Sequence, residues 1–338
     1  MHSLSSSLAN TSQRPDLQWN LSGITALDHI GAQLLWNSWG KQRPARLILL
    51  PAQEAFFKRL ELANSLAIPN THKARLTSVM QLGSLVIGFF KHLFSFTALL
   101  GQLVLDLLFM LRHPLRAPWK EISANVYQMG FRALGITALV GVLIGVVLSY
   151  LSAQQLRTFG GDIYLVNILG MSVIRELGPM LAAILVAGRS GSSITAQLGV
   201  MRVTEELDAM LVMGIPPGLR IILPKVVALA IAMPLIVIWT DAMALIGGMI
   251  SADFILGMSP RFFLQKLPEA VPIINFYIGL GKGVTFGAAI ALVACHFGLL
   301  IKPNTESLGQ GTTTSVVSAI TVVIILDAVF AIIFSRVF

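Results

Sequence analysis

Several charged residues lie in or beside long apolar segments, where an unpaired charge is costly. Arg175 and Glu176 are adjacent at the start of one such segment, and Asp241, Lys282 and Asp327 lie within others. Because an ion in hydrocarbon costs on the order of 3 kcal/mol, these side chains are candidates for function or for pairing between helices. Two roles remain open for Arg175 and Glu176. They could recognise or gate a polar lipid head group, or they could form an ion pair that anchors the helix at the membrane interface. For Arg189, which lies in the same segment as Arg175, and for Lys282 and Asp327 we favour interhelical pairing.

A short acidic segment follows the apolar run that contains Arg175, and its charge requires contact with water. Its three carboxylates lie close together on one helical face, and an apolar stripe runs along the other. The residues that define this predicted helix over 204–213 are Thr204, Glu205, Glu206, Leu207, Asp208 and Met210. Thr204 is the expected N-cap, and Gly214 is expected to end the helix. Because so short a helix is marginally stable alone, we expect a partner surface to cover its apolar stripe.

The composition is that of a polytopic membrane protein. Of 338 residues, 55% are hydrophobic and 12% are charged, and the mean hydropathy is +0.78. The net charge of +8 does not indicate nucleic-acid binding, because the basic residues cluster between apolar runs and not among aromatic residues. The single cysteine, Cys295, lies in an apolar run and cannot form an intrachain disulfide.

The apolar segments predict about five spans, since ~20 apolar residues cross a bilayer. They cover about 130–152, 172–201, 221–251, 273–300 and 313–336. Small residues predict helix packing at Gly141 and Gly145 in the first span, and at Gly188 and Gly191 in the second. The segment 79–111 leaves two alternatives open, a further span or a helix lying in the interface. Basic residues in the short loops predict that the N-terminus and 204–213 are cytoplasmic.

The N-terminal region has a different pattern. Residues 1–13 are rich in Ser, lack the features of a signal peptide and are expected to be disordered. Residues 14–70 predict a small β-α-β-α unit, with strands near Trp19 and Leu47 and helices from Asp28 and Glu54. A unit of this size buries little apolar surface.

Three motifs resemble the signature of MlaE/YrbE-type permeases of lipid ABC transporters. They are Arg175-Glu176-Leu177-Gly178-Pro179, Ala187-Gly188-Arg189-Ser190-Gly191 and Val203-Thr204-Glu205-Glu206-Leu207-Asp208-Ala209-Met210. The resemblance covers 77–338. It implies that 79–111 is an interfacial helix, that 204–213 couples to an ATPase, and that Arg175, Glu176, Leu177 and Pro179 lie beside a lipid cavity. Residues 14–70 resemble a truncated STAS domain, with His29 where regulated relatives have a phosphorylatable residue.

The resemblance implies a membrane subunit that moves phospholipid between the inner and outer membranes of a bacterium and so maintains lipid asymmetry. Its implied partners are a second copy of the chain, two ABC ATPase subunits, a periplasmic MCE-domain hexamer and often a STAS-domain protein. The sequence contains no P-loop motif, so ATP would be hydrolysed by the partners. We expect no catalytic residue, metal site or bound cofactor in this chain.

Two other functions remain open. An ion-coupled secondary transporter could use the charged residues as a relay, although such proteins usually contain inverted repeats, which this sequence does not display. A membrane scaffold could present the N-terminal unit to a regulator, but it would leave the intramembrane charges unexplained. The predicted fold is all-α and polytopic, with about five transmembrane helices, an interfacial helix and a short coupling helix. A small α/β region precedes it.

Overall fold

A computed structural model describes residues 18–24, 27–44, 46–65, 78–302 and 304–335. The chain divides into two compact units, Met1–Val86 and Ile87–Phe338. The tail predicted to be disordered, residues 1–13, lies outside the described residues, as do parts of the predicted unit 14–70.

The N-terminal unit contains a small parallel sheet and two helices. Strand β1 (Trp19–Asn20) pairs with β2 (Leu47–Ile48), and helices α1 (His29–Ser38) and α2 (Pro51–Ser65) follow one strand each. The Asp28 carboxylate caps α1 by accepting a hydrogen bond from the Gly31 N–H at 2.7 Å. The apolar cluster between these elements contains Leu21, Ala32, Trp36 and Phe57. The described elements therefore have the predicted β-α-β-α order.

The second unit is helical. Its α-helices are α3 (Ser78–Arg112, whose first residues belong to the other unit), α4 (Trp119–Met129), α5 (Leu134–Thr158), α6 (Leu165–Met171), α7 (Gly178–Val186), α8 (Ser192–Val203), α9 (Glu206–Val212), α10 (Leu223–Leu256), α11 (Pro260–Ala270), α12 (Ile273–Leu299) and α13 (Thr305–Ile333). Among the described residues, six helical stretches are long and apolar enough to cross a membrane. The prediction of an all-α polytopic membrane protein is confirmed.

Five of the six stretches coincide with the predicted spans, although the last two end one and three residues earlier than predicted. They are Trp119–Thr158, Asp162–Val203, Gly218–Leu256, Ile273–Leu299 and Glu306–Ile333. The sixth is Val86–Arg112, for which the sequence left open a transmembrane span or a helix lying in the membrane interface. It is long and apolar enough to cross the bilayer. Its carboxylate, Asp106, is buried and accepts a hydrogen bond from Gln102 at 3.0 Å. The carboxylate of α3 is thus turned toward protein, whereas Lys91 and Arg112 are exposed.

Helix α10 is the central packing element. The small residues Gly141 and Gly145 of α5 lie directly against its backbone, so a Cβ at Gly141 would be 3.0 Å from the Thr240 carbonyl oxygen. The Trp239 indole N–H donates to the Leu134 carbonyl at 3.0 Å and joins the same two helices. Close approach of the backbones therefore requires glycine on α5, as the small-residue pattern predicted.

The second predicted span is not a continuous α-helix. Two π-helical segments, Ser172–Leu177 and Ala187–Gly191, lie at the two ends of α7. Two of the three sequence motifs coincide with these segments. Single-turn π segments are frequent at functional sites because they insert a residue and redirect the side chains that follow.

The glycines of the second π segment differ in their surroundings. A Cβ at Gly191 would contact Ile290 at 3.4 Å, whereas no atom lies within 4 Å of the corresponding position at Gly188. The prediction that Gly188 packs against another helix is therefore wrong within the described chain. A small-residue spacing alone does not reveal which way each glycine faces.

Candidate functional site

Four charged residues from three separate elements meet in one ion-pair network. Arg175 and Glu176 lie on the first π segment, Lys282 on α12 and Asp327 on α13. The Lys282 ammonium pairs with the Glu176 carboxylate and lies 2.9 Å from Asp327 Oδ1. Arg175 Nε lies 3.3 Å from Glu176 Oε1. We define these four residues as the charged network.

The network is electrically neutral and unevenly buried. Lys282 is 1% exposed, whereas 36% of the Glu176 side chain is accessible. Two cations and two carboxylates compensate one another, which lowers the cost of keeping them away from water. Glu176 is therefore the member through which the network can meet a polar group from outside.

Arg175 also fastens the ends of two helices. Its Nη1 donates to Asn275 Oδ1 at 3.0 Å and its Nη2 donates to the Phe334 carbonyl at 3.1 Å. Asn275 is near the start of α12, and Phe334 follows α13. Sequence reasoning did not predict these contacts. A backbone carbonyl has no sequence signature, and a single Asn is too common to mark a site.

Asp241 lies beside this region but outside the described ion pairs. It is 5% exposed, and its Oδ1 has no hydrogen-bond partner among the described residues. The carboxylate packs against the Cα of Gly178, where a Cβ would overlap it. The predicted interhelical pairing is observed for Lys282 and Asp327. It is wrong for Arg189, which forms no ion pair among the described residues because its side chain is exposed on a cavity wall. Asp241 makes close van der Waals contact with the span that carries Arg175.

The other two residues of the first motif have packing contacts. Leu177 is half-buried, and Pro179 is buried. Pro179 Cγ would lie 3.5 Å from a Cβ at Gly279, so the ring packs on α12. Their predicted place beside a lipid cavity stays a prediction.

Helix α9 begins later than predicted, and its N-cap is different. It runs over Glu206–Val212, and its N-cap is Glu205, whose φ is +60°. Thr204 is therefore not the N-cap; it follows α8, and its hydroxyl is 3.0 Å from both the Val200 carbonyl and Glu206 Oε1. The reason is that α8 continues to Val203, so the Thr204 hydroxyl interacts with the end of α8 before the chain turns at Glu205.

The apolar side of α9 is divided between an anchor and an exposed tip. Leu207 is 3% exposed, whereas Leu211, Val212 and Met213 are 59%, 89% and 66% exposed. The tip ends at Gly214, whose φ of +73° lets the Ile215 N–H reach the Met210 carbonyl at 2.9 Å. On the acidic face, Asp208 pairs with Arg202 at 2.7 Å. Of the predicted apolar stripe, Leu207 is buried, Val203 and Met210 are half-buried and Leu211 is exposed, so the surface open to a partner is the tip.

A cavity of about 510 Å³ lies next to the residues that follow α9. Its walls include Phe109 of α3, Leu115 and Pro118 from the connection between α3 and α4, and Ile215 and Pro216 from the loop after α9. The α9 tip and this cavity adjoin each other through Gly214 and Ile215. Together they form a partly apolar surface at the ends of the neighbouring spans.

Comparison with known proteins assigns most of the chain to one family. The family described as "Permease MlaE" matches residues 122–333, which include the charged network and α9. The intermembrane phospholipid transport system permease protein MlaE of Haemophilus influenzae is 31% identical over 74% of this chain and 94% of its own length. Probable ABC transporter permease proteins of Rickettsia typhi and a Synechocystis species are 29% and 28% identical. They align with 60% and 59% of this chain, and with 79% and 75% of their own lengths.

Proposed function

This chain belongs to the MlaE permease family, and we propose that it is the membrane subunit of an ABC transporter that moves phospholipid between the inner and outer membranes. The observation that carries the proposal is the family match over residues 122–333. The relative from Haemophilus influenzae is named for intermembrane phospholipid transport, and two other relatives are named as ABC transporter permeases. Such transport would maintain the lipid asymmetry of the cell envelope.

The proposed assembly contains two copies of this chain, two ATPase subunits and a periplasmic MCE-domain hexamer, with phospholipid as the substrate. It resides in the bacterial inner membrane. Arg202, Arg220 and Lys225 flank α9, which supports a cytoplasmic position for this helix because basic loops are retained on that side. The ATPases would supply the nucleotide chemistry, and the chain itself would bind no cofactor.

Coupling is proposed to run from α9 to the charged network. The exposed α9 tip docks on the ATPase, and closure of the ATPases moves it. Helix α8 follows the second π segment and leads from α7 to α9, so displacement of α9 is carried along one helical column to Arg175 and Glu176. Over the 27 residues from Glu176 to Val203, the column is ~40 Å long. Opening the network at Glu176 would then admit or release a lipid head group.

The N-terminal unit is proposed to be a STAS-like regulatory appendage. Its parallel β1–β2 pair with α1 as the connection supports this assignment. A variant lacking residues 1–70 is expected to retain lipid transport and to lose the response to a STAS-binding partner. Complete loss of transport with normal membrane insertion would contradict the appendage role.

The test of the transporter proposal begins with purification of the tagged chain from its native membrane. Mass spectrometry of the purified complex should identify an ABC ATPase, an MCE-domain protein and phospholipid. Reconstituted in proteoliposomes, the complex should move labelled phospholipid only with hydrolysable ATP. Transport driven by a proton gradient without an ATPase would instead establish the ion-coupled alternative.

A further inference from the structure

A second polar site lies apart from the charged network, in a cavity of about 190 Å³ between the end of α4 and the second π segment. Its polar walls are Gln128, Arg132, Arg189, Ser190, Ser193 and Gln197. Arg189, Ser193 and Gln197 are spaced four residues apart and so follow one face of the helix. We name this the basic cavity.

The basic cavity carries positive charge without a compensating acid. Arg132 and Arg189 are exposed to it, and within the described part of the chain neither guanidinium forms an ion pair. None of the described residues that line the cavity is acidic. Two arginines facing one small cavity repel each other, and an anion between them would remove that repulsion.

A buried lysine, Lys225, orients the Gln197 amide so that its N–H donors face the cavity. Lys225 is 7% exposed, and its ammonium donates to Gln197 Oε1 at 2.7 Å. Because an ammonium can only donate, it holds the amide oxygen of Gln197 on its own side and leaves the Nε2 donor facing away. Ser190 is 5% exposed and lies on the cavity wall. The cavity therefore presents two guanidinium groups, an oriented amide and hydroxyl groups.

The position of the cavity limits the source of the anion. Arg132 lies two residues before α5, and Lys225 lies in the first turn of α10. Gln197 is in the last two turns of α8 and contacts Lys225. Because polar side chains near the ends of apolar helices are expected at the level of the lipid head groups, we place these three residues near the membrane boundary on the side of α9. Arg189 is ~12 Å from Gln197 along the helix, and its long side chain extends toward the other residues of the cavity. Phospholipid head groups occupy this level.

We propose that the basic cavity binds the phosphate group of a phospholipid from the leaflet on the side of α9. Arginine pairs with phosphate oxygens through two parallel N–H donors, and both Arg132 and Arg189 line this cavity. This site is separate from the charged network, and its occupancy requires neither an ATPase nor a direction of transport. It gives the permease a lipid contact on the helical column between Arg175 and α9.

The test measures lipid retention by the full-length protein in detergent, using native mass spectrometry. Phosphatidylglycerol is titrated into wild-type protein and into the Arg132→Ala/Arg189→Ala variant. Because two charge-assisted contacts are lost, the variant is expected to bind one lipid per chain about tenfold more weakly. Arg157→Ala removes an exposed arginine from the other end of α5 and is expected to leave retention unchanged.

Two competitors identify what the site recognises. Diacylglycerol with the same acyl chains should not replace phosphatidylglycerol, since it lacks phosphate, and inorganic phosphate at millimolar concentration should displace it only weakly. Equal retention by wild-type protein and the double variant would overturn the proposal, as would equal binding of diacylglycerol. If inorganic phosphate displaced phosphatidylglycerol completely, the cavity would be a site for a free anion, and the proposal that it binds a lipid phosphate would be overturned.

A second variant covers the case in which the double variant does not fold. Ser193→Asp places a carboxylate on the exposed wall of the cavity and should repel phosphate while both arginines remain. It is expected to weaken phosphatidylglycerol retention to a similar extent. Normal retention by a correctly folded Ser193→Asp protein would contradict the site.

Discussion

Lys282 is the side chain on which the charged network depends, because its ammonium contacts both carboxylates. Glu176 and Asp327 lie on different elements and are joined through its ammonium. A buried ion pair adds little net stability compared with an apolar pair, but removal of one partner leaves an uncompensated charge. The loss of Lys282 should therefore affect folding far more than the loss of an exposed lysine.

We predict that Lys282→Met lowers the free energy of unfolding by about 3 kcal/mol, because two carboxylates lose their shared cation. The measurement is denaturant unfolding of the detergent-solubilised protein. Lys266→Met is the matched control. Lys266 pairs with Glu269 at 2.7 Å on the exposed surface of α11, where water screens the pair, so this variant should be close to wild type.

The second variant for this prediction is Lys282→Met/Asp327→Asn, which removes one of the two uncompensated carboxylates. It should recover part of the lost stability, since residues in one network do not contribute additively. An equal loss in the single and double variants would mean that the carboxylates do not depend on Lys282.

Gly178 allows a different kind of contact at the same site. Because a Cβ there would overlap the Asp241 carboxylate, Gly178→Ala should destabilise the protein by about 1–3 kcal/mol through overpacking. Gly188→Ala is the control, since no atom lies within 4 Å of its Cβ position. Thermal unfolding of both variants measures the difference, and equal melting temperatures would disprove the close contact.

At the scale of elements, α9 has the features of a docking helix. Leu207 anchors it, and the tip formed by Leu211, Val212 and Met213 is exposed. The residue before the helix, Glu205, has a left-handed backbone conformation, which costs roughly 1–2 kcal/mol for a residue other than glycine. The sharp turn from α8 into α9 depends on this conformation, so the direction of α9 is defined by the backbone as well as by Leu207.

We predict that Val212→Asp weakens retention of the ATPase about tenfold, because it places a charge at the centre of an apolar contact. The side chain is 89% exposed, so the fold of the isolated subunit should be unaffected. The measurement is ATPase recovery on affinity purification of the chain. Phe159→Asp, an equally radical change at an exposed residue in the connection after α5, should retain the ATPase, and equal losses in the two variants would exclude a specific role for the tip.

Sequence patterns predicted the helices better than their internal geometry. Apolar length alone indicates the spans, because a membrane helix must satisfy its own backbone hydrogen bonds. The same rule does not distinguish α from π turns, so the segments at Ser172–Leu177 and Ala187–Gly191 were not predicted. Threonine is a common N-cap residue, yet Thr204 directly follows the end of α8, and its hydroxyl donates to the Val200 carbonyl of that helix. Local sequence does not show whether such a residue ends the preceding helix or caps the following one.

At the scale of the whole molecule, the site could be predicted only in part. The charged residues were recognisable because their segments are apolar, and interhelical pairing was expected for Lys282 and Asp327. The sequence did not predict that Glu176 would reach Lys282, 106 residues away. That contact depends on how α12 packs against the first π segment, and the angle between two helices has no local signature.

The number of spans decides on which side of the membrane the N-terminal unit lies. If α3 crosses, three spans separate this unit from α9 and the two lie on opposite sides; if α3 lies in the interface, two spans separate them and both are on the cytoplasmic side. Basic residues occur at both ends of α3, with Lys73 and Arg75 before it and Arg112 and Arg116 after it. Because basic segments flanking a span are retained in the cytoplasm, the sequence favours an α3 that does not cross.

We therefore predict that cysteines introduced at Lys58 and Val212 react with a membrane-impermeant maleimide only from the cytoplasmic side, and one introduced at Phe159 only from the periplasmic side. All three side chains are exposed. The natural Cys295 is 0% exposed, so the unmodified protein should give little background. Labelling is compared in intact cells and in inverted vesicles. Periplasmic labelling at Lys58→Cys, with cytoplasmic labelling at Val212→Cys, would show instead that α3 crosses the bilayer, because one additional crossing is the change that places these two positions on opposite sides.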